Sequence, residues 1–274
     1  YMIPYGKQNI NQDDIEAVLK VLESDYITQG PVVPAFEKKI SNYCKSKYAV
    51  AVNSATSALH IACKALDLKS GDIAWTSPNT FVASSNCVLY CDAKIDFVDI
   101  DPLTGNISIE KLEEKLIKAK KENKLPKVVI PVHMTGEPCD MQSIDRLRKE
   151  YNFKVIEDAS HAIGAKHKGS DIGDCKYSDI VVFSFHPVKI ITTAEGGMAC
   201  TNSEKLFNKM NLLRSHGITR DPNMMNQKPH GSWYYQQIEI GFNYRMTEIQ
   251  AALGCSQMDR IDSFIKKRHE IAVI

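Results

Sequence analysis

The chain has 274 residues, 43% of them hydrophobic and 24% charged, with a formal net charge of +1. That balance is ordinary for a soluble globular protein, and the length buries one large core or one large domain with part of a second. No basic block points to nucleic acid or a membrane surface, and no apolar run approaches the roughly 20 residues that span a bilayer.

The opening YMIPYGKQNINQDD lacks the charged and apolar regions of a secretion signal. Residues 13–24 then predict a helix with Ile15, Val18, Leu19 and Leu22 on one face and acids in its first turn. Residues 34–45 repeat the pattern with Phe36, Ile40 and Tyr43. From Tyr48 on, short apolar runs alternate with helical ones. Strands are expected at 48–52, 73–76, 94–100, 127–133, 153–158, 179–185 and 197–201. Helices are expected at 54–66, 81–90, 108–123 (capped by Ser108) and 141–151, and again from Thr247 onward. Such alternation predicts a three-layer α/β/α fold with a mostly parallel sheet covered on both faces.

Eight cysteines, none in a CxxC pair, read as buried reduced thiols of a cytoplasmic protein. Cys87 and Cys91 place two thiols on one helix face, but no second ligand pair accompanies them, and no metal is expected.

In sheets of this type ligands sit outside the carboxyl ends of the strands. Four segments fall there: Asn53–Ser57, the Pro78–Phe81 turn, Asp158 with His161, and Ser184–Lys189. VNSATSAL follows a strand and opens a helix, so it is either an ordinary Ser or Thr cap or a site where backbone N–H groups meet a phosphate. Asp158 is either a loop acid or a carboxylate facing a heteroaromatic nitrogen, as in pyridoxal phosphate enzymes. His161 is a structural group or a cofactor contact, and Phe81 a core residue or a ring that stacks on a pyridine. Lys189 stands in an otherwise uncharged run, FSFHPVKIITTAEGGM, beside Pro187 and a Gly-Gly turn. A lysine so placed is an exposed loop residue or a desolvated nucleophile that anchors a cofactor aldehyde. Asn243 and Arg245, in GFNYRMTEIQAALG, precede a helix expected to be strongly amphipathic. They either cap it or reach a phosphate or carboxylate, in this subunit or a neighbour.

These segments together resemble the DegT-type sugar-nucleotide aminotransferases, which use pyridoxal 5′-phosphate on the aspartate-aminotransferase (type I) fold. The motifs that carry the likeness are ITQGP, NSATSAL, EDASHAIGA, FSFHPVKIITTAEGGM, RSHGI and GFNYRMTEIQAALG, in family order along essentially the whole chain. The resemblance implies that Lys189 is the Schiff-base lysine, that Asp158 pairs with the pyridinium nitrogen, and that His161 lies beside the cofactor. It implies that Phe81 stacks on the ring, that Ala55, Thr56 and Ser184 cradle the phosphate, and that Asn243 reaches the site of a second subunit in a homodimer. Tyr5, Asp25, Tyr26, Ile27 and Thr28 match positions that line the sugar-nucleotide site.

Within the family, NSATSALH and SWYYQQIEIGFNYRMTEIQAALG are similar to the branch acting in pseudaminic acid synthesis. The implied reaction passes an amino group from L-glutamate, leaving 2-oxoglutarate, to C4 of a UDP-linked 4-keto-6-deoxy-N-acetylhexosamine. Relatives of the perosamine or 4-amino-arabinose type act on other keto sugars, and a related dehydratase group carries His in place of the lysine. The family pattern also implies a large cofactor-binding domain over residues 1–250. It implies that 251–274 begins a linker helix toward a smaller C-terminal domain that is largely missing here.

Overall fold

The computed structural model describes residues 6–273. Two helices, α1 (Gln12–Leu22) and α2 (Val32–Cys44), precede β1 (Tyr48–Val52), α3 (Ala55–Ala65), β2 (Ile73–Thr76), α4 (Ala83–Leu89) and β3 (Lys94–Phe97). Then follow α5 (Ile109–Lys121), β4 (Val128–Ile130), α6 (Met141–Tyr151) and β5 (Lys154–Asp158). A small hairpin, β6 (Lys166–His167) with β7 (Ser170–Asp171), leads to β8 (Ile180–Ser184), β9 (Gly197–Thr201) and α7 (Glu204–Arg214). The short pair β10 (Ile218–Thr219) and β11 (Gln236–Gln237) comes before α8 (Glu248–Met258) and α9 (Ile261–Ala272).

Seven strands form one sheet in the order β1-β9-β8-β5-β4-β2-β3. Only β9 runs against the rest, pairing antiparallel with β1 and β8, so the sheet is mostly parallel, as expected. Side chains alternate across a strand, and here both faces are apolar and buried. Val50, Val52, Ile156, Ile180 and Val182 turn to the face packed by α3, α4 and α7. Ala49, Ala51, Val181, Phe183 and Met198 turn to the face packed by α2, α8 and α9. Farther along that second face, Trp75, Val129 and Val155 meet α5 and α6 through Leu112, Leu116, Ile144 and Leu147. This is the three-layer arrangement.

Two expectations need correction. Helix α8 is not strongly amphipathic: Glu248, Ala251, Ala252, Gly254, Gln257 and Met258 are all buried, because it is clasped between α1 and α2. Gly254 makes this possible, since a Cβ there would stand 2.6 Å from the Phe36 ring. The helical stretch after Thr247 is two helices, broken at Asp259–Arg260. On α1 the stripe Ile15, Leu19 and Leu22 is exposed, and the helix is held by a polar seam instead. Buried Asp14 accepts hydrogen bonds from Ser256, Gln257 and Arg260. Among the described residues no helix is long and apolar enough to cross a membrane.

Candidate active site

The carboxyl ends of β1, β5 and β8 surround a cavity of about 870 Å³. The register aligns its floor: Gly197, first residue of the antiparallel β9, pairs with Val52 on one side and Ser184 on the other. A Cβ on Gly197 would lie 2.5 Å from the carbonyl of Ser54 and 2.6 Å from the nitrogen of Ala55. Glycine therefore lets the start of α3 settle against the sheet at this point.

At that start, Ser54 is the cap, accepting from the Ser57 N–H at 3.1 Å. The N–H groups of Ala55 and Thr56, in the first turn, have no backbone or side-chain acceptor among the described residues. They border the cavity together with Ser184. Unpaired first-turn donors and the positive end of the helix make an anion site. The capping reading holds at Ser54, and the donors that the anion-binding reading would need are left free on Ala55 and Thr56.

Asp158 ends β5, buried to 4% exposure. Its Oδ1 accepts from Ser160 N–H (3.1 Å) and Ser160 Oγ (2.6 Å), and its Oδ2 from Ser84 Oγ (2.6 Å). Thr80 Oγ1 stands 2.7 Å from Ser84 Oγ. Behind the strand, neighbouring Glu157 accepts from Ser178 Oγ (2.5 Å) and lies 2.7 Å from His133 Nε2. The Cys139 N–H donates to His133 Nδ1, so that nitrogen carries a lone pair and Nε2 bears the proton given to Glu157.

Lys189 lies in a loop pinched at its base, where Phe185 N–H bonds the Gly196 carbonyl and Thr193 N–H bonds the Phe185 carbonyl. Its side chain lines the cavity, half-buried, and makes no ion pair among the described residues. Burial holds its ammonium below the ordinary lysine value, and the Asp158 carboxylate only partly opposes this. His161, also in the cavity, is held below the ordinary histidine value, first by burial and then by the nearby Lys189 charge. Phe81 is 73% exposed and overhangs the cavity, so core packing is not its role.

Ala55, Thr56, Phe81, Asp158, His161, Ser184 and Lys189 are thus brought together. Asn243 is not: it is exposed, bridged to Ser215 beside the end of α7. Asp25, Tyr26, Ile27 and Thr28 are exposed as well and do not line the cavity, and the Ile27 carbonyl accepts from Glu248 N–H at the start of α8. Tyr5 lies outside the described residues. Sequence reading missed Ser84 and Ser160, and took in Thr80 only as part of the Pro78–Phe81 turn. Their signal was present as Thr80 and Ser84 four apart at a helix start and a serine two after the acid.

Cys87 and Cys91 sit under α3 rather than at the cavity. Cys87 Sγ is 3.7 Å from Cys63 Sγ, all three thiols are buried, and none is disulfide-bonded.

Residues 8–274 match the DegT/DnrJ/EryC1/StrS aminotransferase family, and the chain belongs to it. It is 42% identical over 98% of its length to the UDP-4-amino-4,6-dideoxy-N-acetyl-beta-L-altrosamine transaminase of Campylobacter jejuni, covering 68% of that protein. Among solved structures it is similar to Helicobacter pylori PseC, an aminotransferase involved in pseudaminic acid biosynthesis. That match has a TM-score of 0.89 and 33% identity, and covers all of this chain and 69% of the other. It is also similar to the PLP-form of the putative sugar aminotransferase Spr1654 of Streptococcus pneumoniae. There the TM-score is 0.86 and the identity 29%, over 99% of this chain and 70% of the other.

Proposed function

We propose that this aminotransferase binds pyridoxal 5′-phosphate in the cavity between α3, Asp158 and Lys189, and moves an amino group from L-glutamate to C4 of a UDP-linked 4-keto-6-deoxy-N-acetylhexosamine. One observation carries the proposal. A desolvated lysine, a buried carboxylate and an unpaired helix N-terminus share one cavity overhung by an exposed aromatic ring.

The residues fit the cofactor part by part. Ala55 and Thr56 N–H and Ser184 offer donors to the phosphate, Asp158 offers a carboxylate to the ring nitrogen, and Phe81 offers a face to the ring. When bound, the cofactor supplies an electron sink for the pair left by a broken C–H bond. Lys189 would anchor it, and Asp158 would keep its ring nitrogen charged. Lys189 would be the amine placed to take the proton from the donor's Cα. In the second half-reaction it delivers a proton to C4 of the sugar. Burial lowers its affinity for that proton, which suits a group that must be neutral to act. His161, held neutral beside Lys189, covers the same side of the cavity without adding a competing charge.

We place the reaction in the cytoplasm, where eight unpaired thiols persist reduced. We expect a homodimer in which exposed Asn243 serves the neighbouring subunit's cavity, and we assign Tyr5 and residues 25–28 to the sugar-nucleotide side. Full-length protein incubated with pyridoxal phosphate develops a visible band that L-glutamate bleaches, with 2-oxoglutarate released. UDP-linked 4-keto sugar then restores the band. A protein that never develops the band overturns the cofactor assignment. Restoration only by a GDP-linked keto sugar assigns the perosamine-type reaction, and water loss without amino transfer assigns a dehydratase.

A further inference from the structure

We infer that Ser84, held by Thr80, is a positioning residue that reserves one lone pair of Asp158 Oδ2 for the cofactor's ring nitrogen, an inference that rests on the function proposed above. An ionised carboxylate only accepts, with about two sites on each oxygen. On Asp158, Oδ1 already takes two donors, the N–H and the hydroxyl of Ser160. Oδ2 takes one, Ser84 Oγ at 2.6 Å. The remaining acceptor site is therefore on Oδ2, and the carboxyl plane is fixed from both sides.

The direction of the bonds follows. Ser84 is fully buried and has a single proton, which Asp158 obliges it to donate. At 2.7 Å, Thr80 is then the donor to Ser84, a shorter contact than the 3.3 Å to the Phe81 carbonyl that its hydroxyl also reaches. The chain Thr80 to Ser84 to Asp158 is polarised along its length, and each bond strengthens the next in a buried setting. It begins one residue before Phe81. The turn that overhangs the cavity with an aromatic ring thus also sets the carboxylate at its floor, so the face and the nitrogen end of one bound ring are positioned by a single segment.

The test uses the full-length protein with Ser84→Ala, Thr80→Val and the double variant. Two quantities are read: the affinity for pyridoxal phosphate from the visible band, and the single-turnover rate and half-saturation of bleaching by L-glutamate. Ser84→Ala is expected to lower cofactor affinity and the limiting bleaching rate by about tenfold, with half-saturation by glutamate unchanged. Thr80→Val moves both in the same direction by about two- to fivefold, and has no effect once Ser84 is alanine. A folded Ser84→Ala that binds and bleaches like the parent overturns the inference. So does Thr80→Val costing as much in the double variant as alone. If Ser84→Ala does not fold, an unchanged Thr80→Val overturns it equally well. Absence of the band in the parent protein overturns the underlying function instead, so the two failures are distinguishable.

Discussion

Gly197 and Ser54 touch backbone to backbone: a methyl group on Gly197 would stand 2.5 Å from both the carbonyl carbon and oxygen of Ser54. No real Cβ tolerates that approach, and neither partner is a flexible side-chain end. Gly197→Ala must therefore push the first turn of α3 away from the rim of β9. Overpacking of this kind costs about 1–3 kcal/mol, which lowers the thermal midpoint. The displaced groups are the Ala55 and Thr56 N–H donors, so phosphate and pyridoxal phosphate binding should fall further than stability does. A calorimetric titration with pyridoxal phosphate on the folded variant measures this. Parent-like affinity would show that the first turn of α3 is not the anion site.

Phe81 separates binding from stability more cleanly. At 73% exposure it contributes little to the core, so Phe81→Ala should change unfolding free energy by no more than about 0.5 kcal/mol. If its ring stacks on the cofactor, the same change removes about 0.5–1.5 kcal/mol of aromatic pairing, a two- to tenfold loss of affinity. Phe81→Tyr should retain the affinity. Equal binding by the alanine variant would remove Phe81 from the site.

The sheet was readable in the sequence because both of its faces are buried. Runs such as YAVAV, VVI and IVVFS are continuous in apolar residues and stop at turn residues, so their position needs no tertiary information. The cavity residues were legible for a related reason: they sit where those runs stop. What sequence pattern could not supply was the environment of helices α1 and α8. An apolar stripe on α1 predicts burial, yet Ile15, Leu19 and Leu22 face outward, because buried Asp14 on another face finds Ser256, Gln257 and Arg260 on distant elements. Helix α8 reads as amphipathic only until Gly254 brings it onto Phe36, after which most of its circumference is covered. The hairpin β6–β7 and the pair β10–β11 are two residues per strand, too short to leave a periodic signal. The Ser84–Asp158 bond joins residues 74 apart, which no local pattern can announce.

Asp14 ties the two ends of the chain's fold together, and its protonation should be felt in stability. Burial alone would raise its carboxyl, but hydrogen bonds from Ser256, the Asn11 N–H and Gln257, with the Arg260 charge, hold it below the ordinary aspartate value. The folded state therefore binds this proton more weakly than the unfolded chain. The stabilisation is full above the unfolded value of about 3.9 and is lost as pH falls through the folded value. Asp14→Asn should cost about 2 kcal/mol at neutral pH, since Arg260 and the capped start of α1 lose their acceptor. The variant should also show a shallower loss of stability below pH 4. Denaturant unfolding of both proteins across that range gives the slope directly. A difference that grows on acidification would contradict the assignment.

Lys189 is shifted in the same direction as Asp14, but because its charged form is the protonated one, the shift is a cost to the fold at neutral pH rather than a gain. Its ammonium is destabilised by burial, with Asp158 compensating only in part. The unfolded chain therefore holds this proton more tightly than the folded one. Stability contributed at this site rises with pH between the lowered folded value and the ordinary value of about 10.4, and the penalty is present at neutral pH. Lys189→Met removes it: before any cofactor is added, the variant should be the more stable protein at pH 7, and the gap should close as pH approaches 10.4. Turnover should behave in the other direction. On the role proposed for Lys189, losing the group that moves the proton at Cα and at C4 costs about 10²–10⁴-fold for the proton transfers alone, and losing the proposed covalent anchor adds to it, so Lys189→Met should show no measurable amino transfer. The two measurements on one variant, unfolding against pH and transfer to 2-oxoglutarate, test the same physical claim from both sides. A desolvated amine is a cost to the fold, and the proposed catalytic role gives a reason for it. A variant that is less stable than the parent at neutral pH, or that still turns over, would show that the lysine is held there for its packing rather than its chemistry.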